Sequence, residues 1–129
     1  MKPVILIVDD EAEARKMILN FLNVRFDCEF YEAKDGEEAL QFVKSHPCDL
    51  MLLDIKLPRK SGIMVIKEAR DINPKIDILV VSAYVSDDVA EEALKLGATD
   101  YAVKPLDLKA ISLKFTNILA KRGQRVSKI

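Results

Sequence analysis

The chain has 129 residues, of which 50% are hydrophobic and 32% charged, a composition typical of one globular domain and not of a disordered chain. Twenty basic residues nearly balance 21 acidic ones, so the net charge of -1 creates no overall field that would attract nucleic acid or anionic lipid. Cys28 and Cys48 lie far apart in a chain with one histidine. We therefore expect reduced, structural thiols in a cytoplasmic protein and no zinc site.

The predicted elements begin with Val4–Val8, an apolar and β-branched run typical of a strand buried on both faces. Asp9 and Asp10 interrupt this run before it reaches signal-peptide length, and no run approaches transmembrane length. The next apolar residues recur at helical spacing and predict a first helix. Its apolar stripe comprises Ala14, Met17, Ile18, Phe21 and Leu22.

A second strand is predicted at Cys28–Ala33, and its polar character suits a position near an edge of the sheet. Asp35, three residues before Glu38, resembles a capping box that opens a second helix. The third strand is predicted at Leu50–Asp54. A third helix follows from about Ser61 to Asp71, and Pro74 prevents it from continuing.

The fourth strand is predicted at Ile76–Ala83. Ser86 then suits the N-cap of a fourth helix, which Gly97 closes. Asp100–Pro105 predicts a short fifth strand, and the apolar spacing after it predicts a last helix. That spacing is carried by Leu108, Ile111, Phe115, Ile118 and Leu119. Strict strand-helix alternation predicts an α/β fold, a doubly wound parallel sheet with helices on both faces, because an eightfold barrel needs about twice the length.

Polar residues end four of the predicted strands. In an open α/β sheet, ligands bind outside the carboxyl ends of the strands, so these side chains should converge. They are Asp9 and Asp10 after the first strand, Asp54 after the third, Ser82 in the fourth and Lys104 after the fifth. Singly, each could be a helix cap or a strand terminator. Together, three carboxylates within roughly 5 Å repel one another and require compensating positive charge.

Lys104 supplies one such charge, and the oxygen cluster also suits Mg²⁺, with Mn²⁺ as an alternative. Beside a metal and an ammonium group, a carboxylate can act as a nucleophile on phosphorus, and Ser82 could donate a hydrogen bond to the transferred group. The four isolated glycines form neither a P-loop nor a dinucleotide fingerprint. The residues therefore predict a site for metal and phosphate.

The ordered motifs "VDDE", "LLDIKLPRKSG", "VVSAY" and "EEALKLGATDYAVKP" resemble the receiver domain of two-component response regulators. The resemblance implies a flavodoxin-like sheet of five parallel strands in the order 2-1-3-4-5, with five helices. It covers residues 1–122 and leaves 123–129 as a short basic tail or the start of a linker. It also implies a signalling module and not an enzyme, apart from self-catalysed phosphotransfer and autodephosphorylation.

The resemblance assigns a role to each residue of the site. It makes Asp54 the phosphoacceptor, which takes a phosphoryl group from the phosphohistidine of a sensor histidine kinase or a histidine phosphotransfer protein. Asp9 and Asp10 would bind Mg²⁺ together with Asp54 and the backbone carbonyl of Lys56. Lys104 would contact the phosphoryl group.

The same resemblance implies a switch. Ser82 would move toward the phosphoryl group, Tyr101 would swing inward, and the face formed by the fourth helix, fifth strand and fifth helix would repack to signal a downstream effector protein or domain. A phosphorylation-dependent dimer is a further expectation. The bond between Lys104 and Pro105 is expected to be cis.

Four further positions belong to the same region. Pro58 and Gly62 match the turn after the acceptor. Lys56 and Tyr84 depart from the commonest residues near the phosphate, and either they shield the acyl phosphate from water or they are merely solvent-facing.

Two other functions compete with the phosphorylation switch, whether the switch is a stand-alone receiver or one excised from a longer regulator. A degenerate receiver would bind partners without phosphorylation, but the complete polar set argues against it. A Mg²⁺-dependent aspartyl-phosphate phosphohydrolase would place its nucleophile in a DxD motif on the first strand, whereas here Asp9 is followed by Asp10 and Glu11.

The basic C-terminal residues are interpreted as a solvated helix end that the helix dipole favours, and not as a nucleic-acid site. They are Lys121, Arg122, Arg125 and Lys128. No effector motif follows them, so we expect this chain to bind neither DNA nor a membrane.

Overall fold

A computed structural model describes residues 2–57, 60–83, 87–104 and 107–123, without the side chain of Asp87. Within these ranges, strands and helices alternate as predicted. The strands are β1 Val4–Val8, β2 Glu29–Ala33, β3 Leu50–Leu53, β4 Asp77–Ser82 and β5 Asp100–Val103. The helices are α1 Ala12–Arg25, α2 Gly36–Ser45, α3 Gly62–Ile72, α4 Asp87–Leu96 and α5 Leu108–Lys121.

The five strands form one parallel sheet in the order β2-β1-β3-β4-β5, which confirms the predicted fold class and strand order. The most apolar strands, β1, β3 and β4, occupy the centre, since a strand covered by helices on both faces needs apolar side chains on both. The polar strand β2 lies at an edge, as its composition predicted.

The register of the sheet determines which strand ends meet. Val8 of β1 lies opposite Leu53 of β3, so the residues that follow them leave neighbouring strands at the same level. Ser82 of β4 lies opposite Val103 of β5, which brings the residue after β5 to the same edge. The parallel pairing therefore delivers the predicted site residues to one end of the sheet.

The sheet divides the apolar core into two layers. Along β3, Leu50 and Leu52 point into the layer covered by α1 and α5, whereas Met51 and Leu53 point into the layer covered by α2, α3 and α4. This alternation follows from the period of two in a β-strand. Full burial of one such leucine contributes about 2 kcal/mol to folding. Phe115 of α5 is the largest of the fully buried side chains and lies in the layer covered by α1 and α5.

The predicted helix ends are present where the structure describes them. The carboxylate of Asp35 accepts a hydrogen bond from the Glu38 amide at 2.9 Å, and Glu38 accepts one from the Lys34 amide at 2.9 Å. This is a capping box in which the glutamate reaches one residue further back than usual. Gly97 follows α4 with a φ of 119°, the left-handed conformation that glycine adopts without strain. Ser86 lies outside the described residues.

The predictions for the buried side of α1 and for several strand ends are wrong in detail. Met17 is 53% exposed, because the buried side of α1 is centred on Ile18 and Leu22, and Leu19 rather than Met17 packs against the core. The second strand begins at Glu29 rather than Cys28, the third ends at Leu53 rather than Asp54, and the fourth spans Asp77–Ser82 rather than Ile76–Ala83. The cysteines themselves match the prediction: both are buried and free of disulfide bonds.

The prediction of a solvated helix end fails at Arg122, just after α5. Its guanidinium donates to Asp77 Oδ2 at 2.8 Å and to Asp49 Oδ1 at 3.0 Å, and it also reaches the Lys75 carbonyl oxygen at 2.8 Å. Burial lowers the pKa of Arg122, but these carboxylates outweigh burial and raise it. Lys121 is exposed as predicted, whereas Arg125 and Lys128 lie outside the described residues.

No helix in the described part of the chain is both long and apolar enough to cross a lipid bilayer.

Candidate functional site

Three aspartates meet at the carboxyl edge of the sheet, as predicted. Asp9 and Asp54 leave the paired strands β1 and β3 and are buried, with exposures of 3% and 8%, while Asp10 is exposed. One carboxylate oxygen from each lies within 4.8 Å of the other two. The arrangement follows from the register, because Asp9 and Asp54 directly follow opposed residues.

Lys104 bridges the two buried acids. Its Nζ donates to Asp9 Oδ2 at 2.8 Å and to Asp54 Oδ2 at 3.1 Å. Burial lowers the pKa of Lys104, but the hydrogen bonds that its ammonium donates to these two carboxylates, together with their negative charge, outweigh burial and raise it. The lysine therefore supplies the positive charge that the acid cluster requires.

Backbone amides hold the remaining carboxylate oxygens. Glu11 N–H donates to Asp9 Oδ1 at 2.9 Å, and Lys56 N–H donates to Asp54 Oδ1 at 3.0 Å. Each buried acid thus has one oxygen on an amide and the other on the Lys104 ammonium. Such charge-assisted hydrogen bonds fix the direction in which each carboxylate points.

The exposed side of the cluster opens into a cleft of about 230 Å³. Its lining residues are Asp10, Glu11, Asp54, Lys56, Ser82, Ala83 and Lys104. Ser82, at the end of β4, is 1% exposed, and its carbonyl accepts a hydrogen bond from the Lys104 amide at 2.9 Å. The cleft therefore brings the Ser82 hydroxyl, two lysines and three carboxylates to one space.

The carboxylate set fits a small divalent cation. Mg²⁺ binds oxygen at about 2.1 Å in an octahedron, so its opposite ligands lie about 4.2 Å apart. The oxygen atoms of Asp9, Asp10 and Asp54 lie within 4.8 Å of one another, close to that requirement without a large movement. Carboxylates are also the hard ligands that Mg²⁺ and Mn²⁺ prefer.

Gly62 fixes the loop after Asp54. Its amide donates to the Ile55 carbonyl oxygen at 2.9 Å, and Leu57 N–H donates to the same oxygen at 3.1 Å. A Cβ atom at position 62 would lie 2.5 Å from the Ile55 Cα, a contact with backbone that no rotamer change relieves. Only glycine allows this close approach, which sets the path of the chain through Lys56.

The remaining predicted residues fall into two groups. Tyr101, on β5, is 36% exposed, and the Lys56 side chain is exposed beside the cleft. Pro58, Tyr84 and Pro105 lie outside the described residues, so the turn, the shielding of the phosphate by tyrosine and the cis bond stay predictions.

Sequence reasoning missed Arg15, in the first turn of α1. Its Nη1 donates to the Asp9 carbonyl oxygen at 2.7 Å, and its Nε donates to Glu32 Oε1 at 2.9 Å. The hydrogen bonds that Glu32 accepts from Lys16 and from Arg15 lower its pKa, and together they outweigh the opposite effect of burial. A signal was available, since a basic residue in the first turn opposes the helix dipole and needs another reason to be there.

Known proteins are similar to this chain in sequence and in fold. The family model for the response regulator receiver domain matches residues 5–116. The chain is 40% identical over 116 residues to the transcriptional regulatory protein ZraR of Klebsiella oxytoca, across 90% of this chain and 26% of ZraR. It therefore spans about a quarter of that relative's length.

Two solved structures share the fold at 26% sequence identity. The CheY-like response regulator receiver domain protein of Methanospirillum hungatei superimposes with a TM-score of 0.90, over 95% of this chain and 98% of that chain. A response regulator protein of Burkholderia pseudomallei, solved with a phosphorylated aspartic acid, a calcium ion and citrate, superimposes with a TM-score of 0.82, over 95% of this chain and 72% of that chain.

Proposed function

This chain belongs to the response regulator receiver domain family, and from that premise we propose that it is a phosphorylation-controlled switch with Asp54 as its phosphoacceptor. The observation that carries the proposal is the position of Asp54 at the wall of the cleft, 3.1 Å from the Lys104 ammonium and next to two further carboxylates. The buried ion pairs alone would not need the third acid or the cleft.

In the proposed reaction, an oxygen of Asp54 attacks the phosphorus of a phosphohistidine. A P–O bond to the carboxylate forms as the P–N bond breaks, and the electron pair returns to the imidazole nitrogen, which takes up a proton. Lys104 is already within reach of one Asp54 oxygen and offers its ammonium to the charged phosphoryl oxygens. The Lys56 amide orients the other Asp54 oxygen.

Asp9, Asp10, Asp54 and the backbone carbonyl of Lys56 would hold Mg²⁺, or alternatively Mn²⁺. When bound, the metal neutralises charge on the phosphoryl oxygens. The chain's own contribution is to place two buried acids and one exposed acid around a single point. The phosphorylated aspartic acid and calcium ion of the Burkholderia pseudomallei relative support this assignment by analogy.

The proposed signal passes from the site to the face formed by α4, β5 and α5. Phosphorylation gives Ser82 and Lys104 a new acceptor, and Tyr101 fills the space that Ser82 vacates. That face already exposes large apolar side chains, which suits a surface that contacts another protein. They are Leu94 at 43%, Tyr101 at 36% and Val103 at 51% exposure.

The proposed partners follow from this switch. A sensor histidine kinase or histidine phosphotransfer protein supplies the phosphoryl group. A downstream effector protein or output domain binds the face formed by α4, β5 and α5. A phosphorylation-dependent dimer is an alternative way to transmit the signal. We propose that residues 1–122 are the receiver domain, that 123–129 are a basic tail or the start of a linker, and that the protein acts in the cytoplasm without binding nucleic acid.

The test uses acetyl phosphate as phosphodonor, with phosphoprotein separated on a phosphate-binding gel. The wild type is expected to be phosphorylated with Mg²⁺ and to lose the label with a chelator, and Asp54→Asn is expected to abolish it. Asp49→Asn is the matched control, because Asp49 is a partly buried, arginine-paired acid just before the same strand. A wild type that takes up no phosphoryl group with Mg²⁺ would favour a phosphorylation-independent module.

A further inference from the structure

Arg15 lies beside the acid cluster, and the proposed phosphotransfer gives it no task. Its side chain is only 14% exposed, unusually low for an arginine near a helix start. It makes two hydrogen bonds at once, to the Asp9 carbonyl oxygen at 2.7 Å and to Glu32 at 2.9 Å. The planar guanidinium therefore ties the loop after β1 to the edge strand β2.

The contacted carbonyl belongs to the peptide bond that joins Asp9 to Asp10. On the other side of the same residue, the Asp9 amide donates to the Ala33 carbonyl oxygen at 3.2 Å. Asp9 is thus held at both its amide and its carbonyl, one by β2 itself and one through a side chain that β2 anchors. Fixing this peptide plane also fixes the direction in which the backbone starts toward Asp10.

We propose that Arg15 is a positioning residue that orients the Asp9–Asp10 pair for a divalent cation. The inference rests on the proposed function, because it concerns the same metal site. Arg15 acts through the backbone carbonyl of Asp9, and Glu32 holds the guanidinium in place. Partners of this kind around metal ligands typically change metal affinity by 10–100-fold when they are removed.

Charge alone predicts the opposite sign. A guanidinium near a cation site repels the cation, so its removal would tighten metal binding if charge were its only effect. Positioning predicts that removal weakens binding. The direction of the change therefore separates the two effects without any assumption about their size.

Lys16 provides a matched control on the same helix. Its ammonium contacts the other oxygen of Glu32 at 2.7 Å, so it shares the anchor of Arg15. It is 59% exposed and donates to Glu32, whereas the Asp9 carbonyl oxygen accepts its hydrogen bond from Arg15. Removing Lys16 takes away a nearby positive charge but leaves the support of the Asp9–Asp10 peptide.

The experiment is calorimetric titration of the metal-free chain with Mg²⁺ alone, at fixed pH and ionic strength. Arg15→Ala is expected to raise the Kd for Mg²⁺ about tenfold. Arg15→Lys is also expected to raise it, since an ammonium group lacks the planar fork that spans both acceptors. Lys16→Ala is expected to leave the Kd unchanged or slightly tighter. Glu32→Gln, which frees the guanidinium without truncating it, is expected to raise the Kd by a smaller factor. This variant tests the proposal if Arg15→Ala does not fold.

A second readout needs no metal. Backbone amide NMR shifts of Asp10 and Glu11 are expected to change in metal-free Arg15→Ala and to stay unchanged in Lys16→Ala. If the wild type binds Mg²⁺ and Arg15→Ala binds it equally well or more tightly, the positioning role is wrong while the proposed function stands. A wild type that binds no Mg²⁺ would overturn the proposed metal site and this inference with it.

Discussion

The two ends of the sheet each carry one cation that joins two aspartates from different strands. Lys104 does so at the carboxyl ends and Arg122 at the amino ends. Their partners are Asp9 and Asp54 in the first case and Asp49 and Asp77 in the second. The two cations are also similarly shielded, with side-chain exposures of 20% and 23%, so burial does not distinguish them.

The difference lies in what remains available around each cation. At the amino end, the second oxygen of Asp49 accepts the Val4 amide at 2.8 Å, and the second oxygen of Asp77 accepts the Thr99 hydroxyl at 2.7 Å. The planar fork of Arg122 fits this closed set. At the carboxyl end, a third acid and an open cleft adjoin a lysine, whose compact charge turns easily toward a new partner. Similar charges therefore lie in a closed hydrogen-bonded set at one end and beside an open cleft at the other.

The largest expected contrast comes from removing the cation at the carboxyl end. Lys104→Met is expected to lower the rate of phosphorylation by acetyl phosphate about 10²-fold, because the charge on the phosphoryl oxygens loses its ammonium partner. The measurement is the initial rate of phosphoprotein formation at saturating Mg²⁺. A rate within twofold of the wild type would contradict the role given to Lys104.

Removing the cation at the amino end is expected to act on folding alone. Arg122→Met leaves Asp49 and Asp77 without their shared partner, and we expect the free energy of unfolding to fall by about 2 kcal/mol, less than for a fully buried pair because of solvent screening. Urea denaturation measures this change, with exposed Lys121→Met as the control. A clear fall in the phosphorylation rate of folded Arg122→Met, in addition to its loss of stability, would show that the two ends of the sheet are not separate.

The smallest expected contrast is in the pH dependence of stability. The pKa of Lys104 is raised above 10.5, so its stabilising contribution is fully present below that pH and is lost as pH rises through the raised value. Arg122 stays charged throughout. The stability difference between wild type and Lys104→Met should therefore shrink above pH 10.5, whereas that for Arg122→Met should persist.

Comparing each variant with the wild type at the same pH also removes a shared background. Burial raises the pKa of the Cys48 thiol to about 12 from 9.0, so every protein in the series loses some stability between these values. That loss cancels in the difference for Lys104→Met. In Arg122→Met the Cys48 thiol loses a positive charge that lowers its pKa, so the difference from the wild type grows rather than shrinks over this range. Equal shrinkage for both variants would contradict the assignment of the alkaline effect to Lys104.

Sequence patterns predicted the carboxyl end far better than the amino end. The site residues directly follow apolar strands, and parallel strands bring such positions to one edge of the sheet. The convergence of Asp9, Asp54 and Lys104 could therefore be predicted without knowing any interatomic distance. The helix dipole was a sufficient local explanation for Arg122, so no sequence pattern indicated its partners Asp49 and Asp77, which lie 73 and 45 residues away in sequence. Long-range pairs of this kind leave no periodic trace.

Helix α1 shows the same limit at a smaller scale. Helical spacing correctly predicted its existence, but Met17 and Leu19 are both apolar and only packing against α5 and the sheet decides which is covered. Arg15 stands at a position where the dipole disfavours it, yet its two acceptors belong to the loop after β1 and to β2. Propensity marks such a residue as unusual and does not identify its partners.

The division of the core by the sheet has a consequence for how such a protein diversifies. Among the residues that the structure describes, the two apolar layers form separate clusters on opposite faces of the sheet, so a substitution under α2 or α3 falls in a different cluster from the layer under α1 and α5. Asp54 emerges from β3, whose side chains alternate between both layers. Helices on one side can therefore be repacked by substitution while the carboxyl edge of the sheet and the opposite side keep their side-chain contacts.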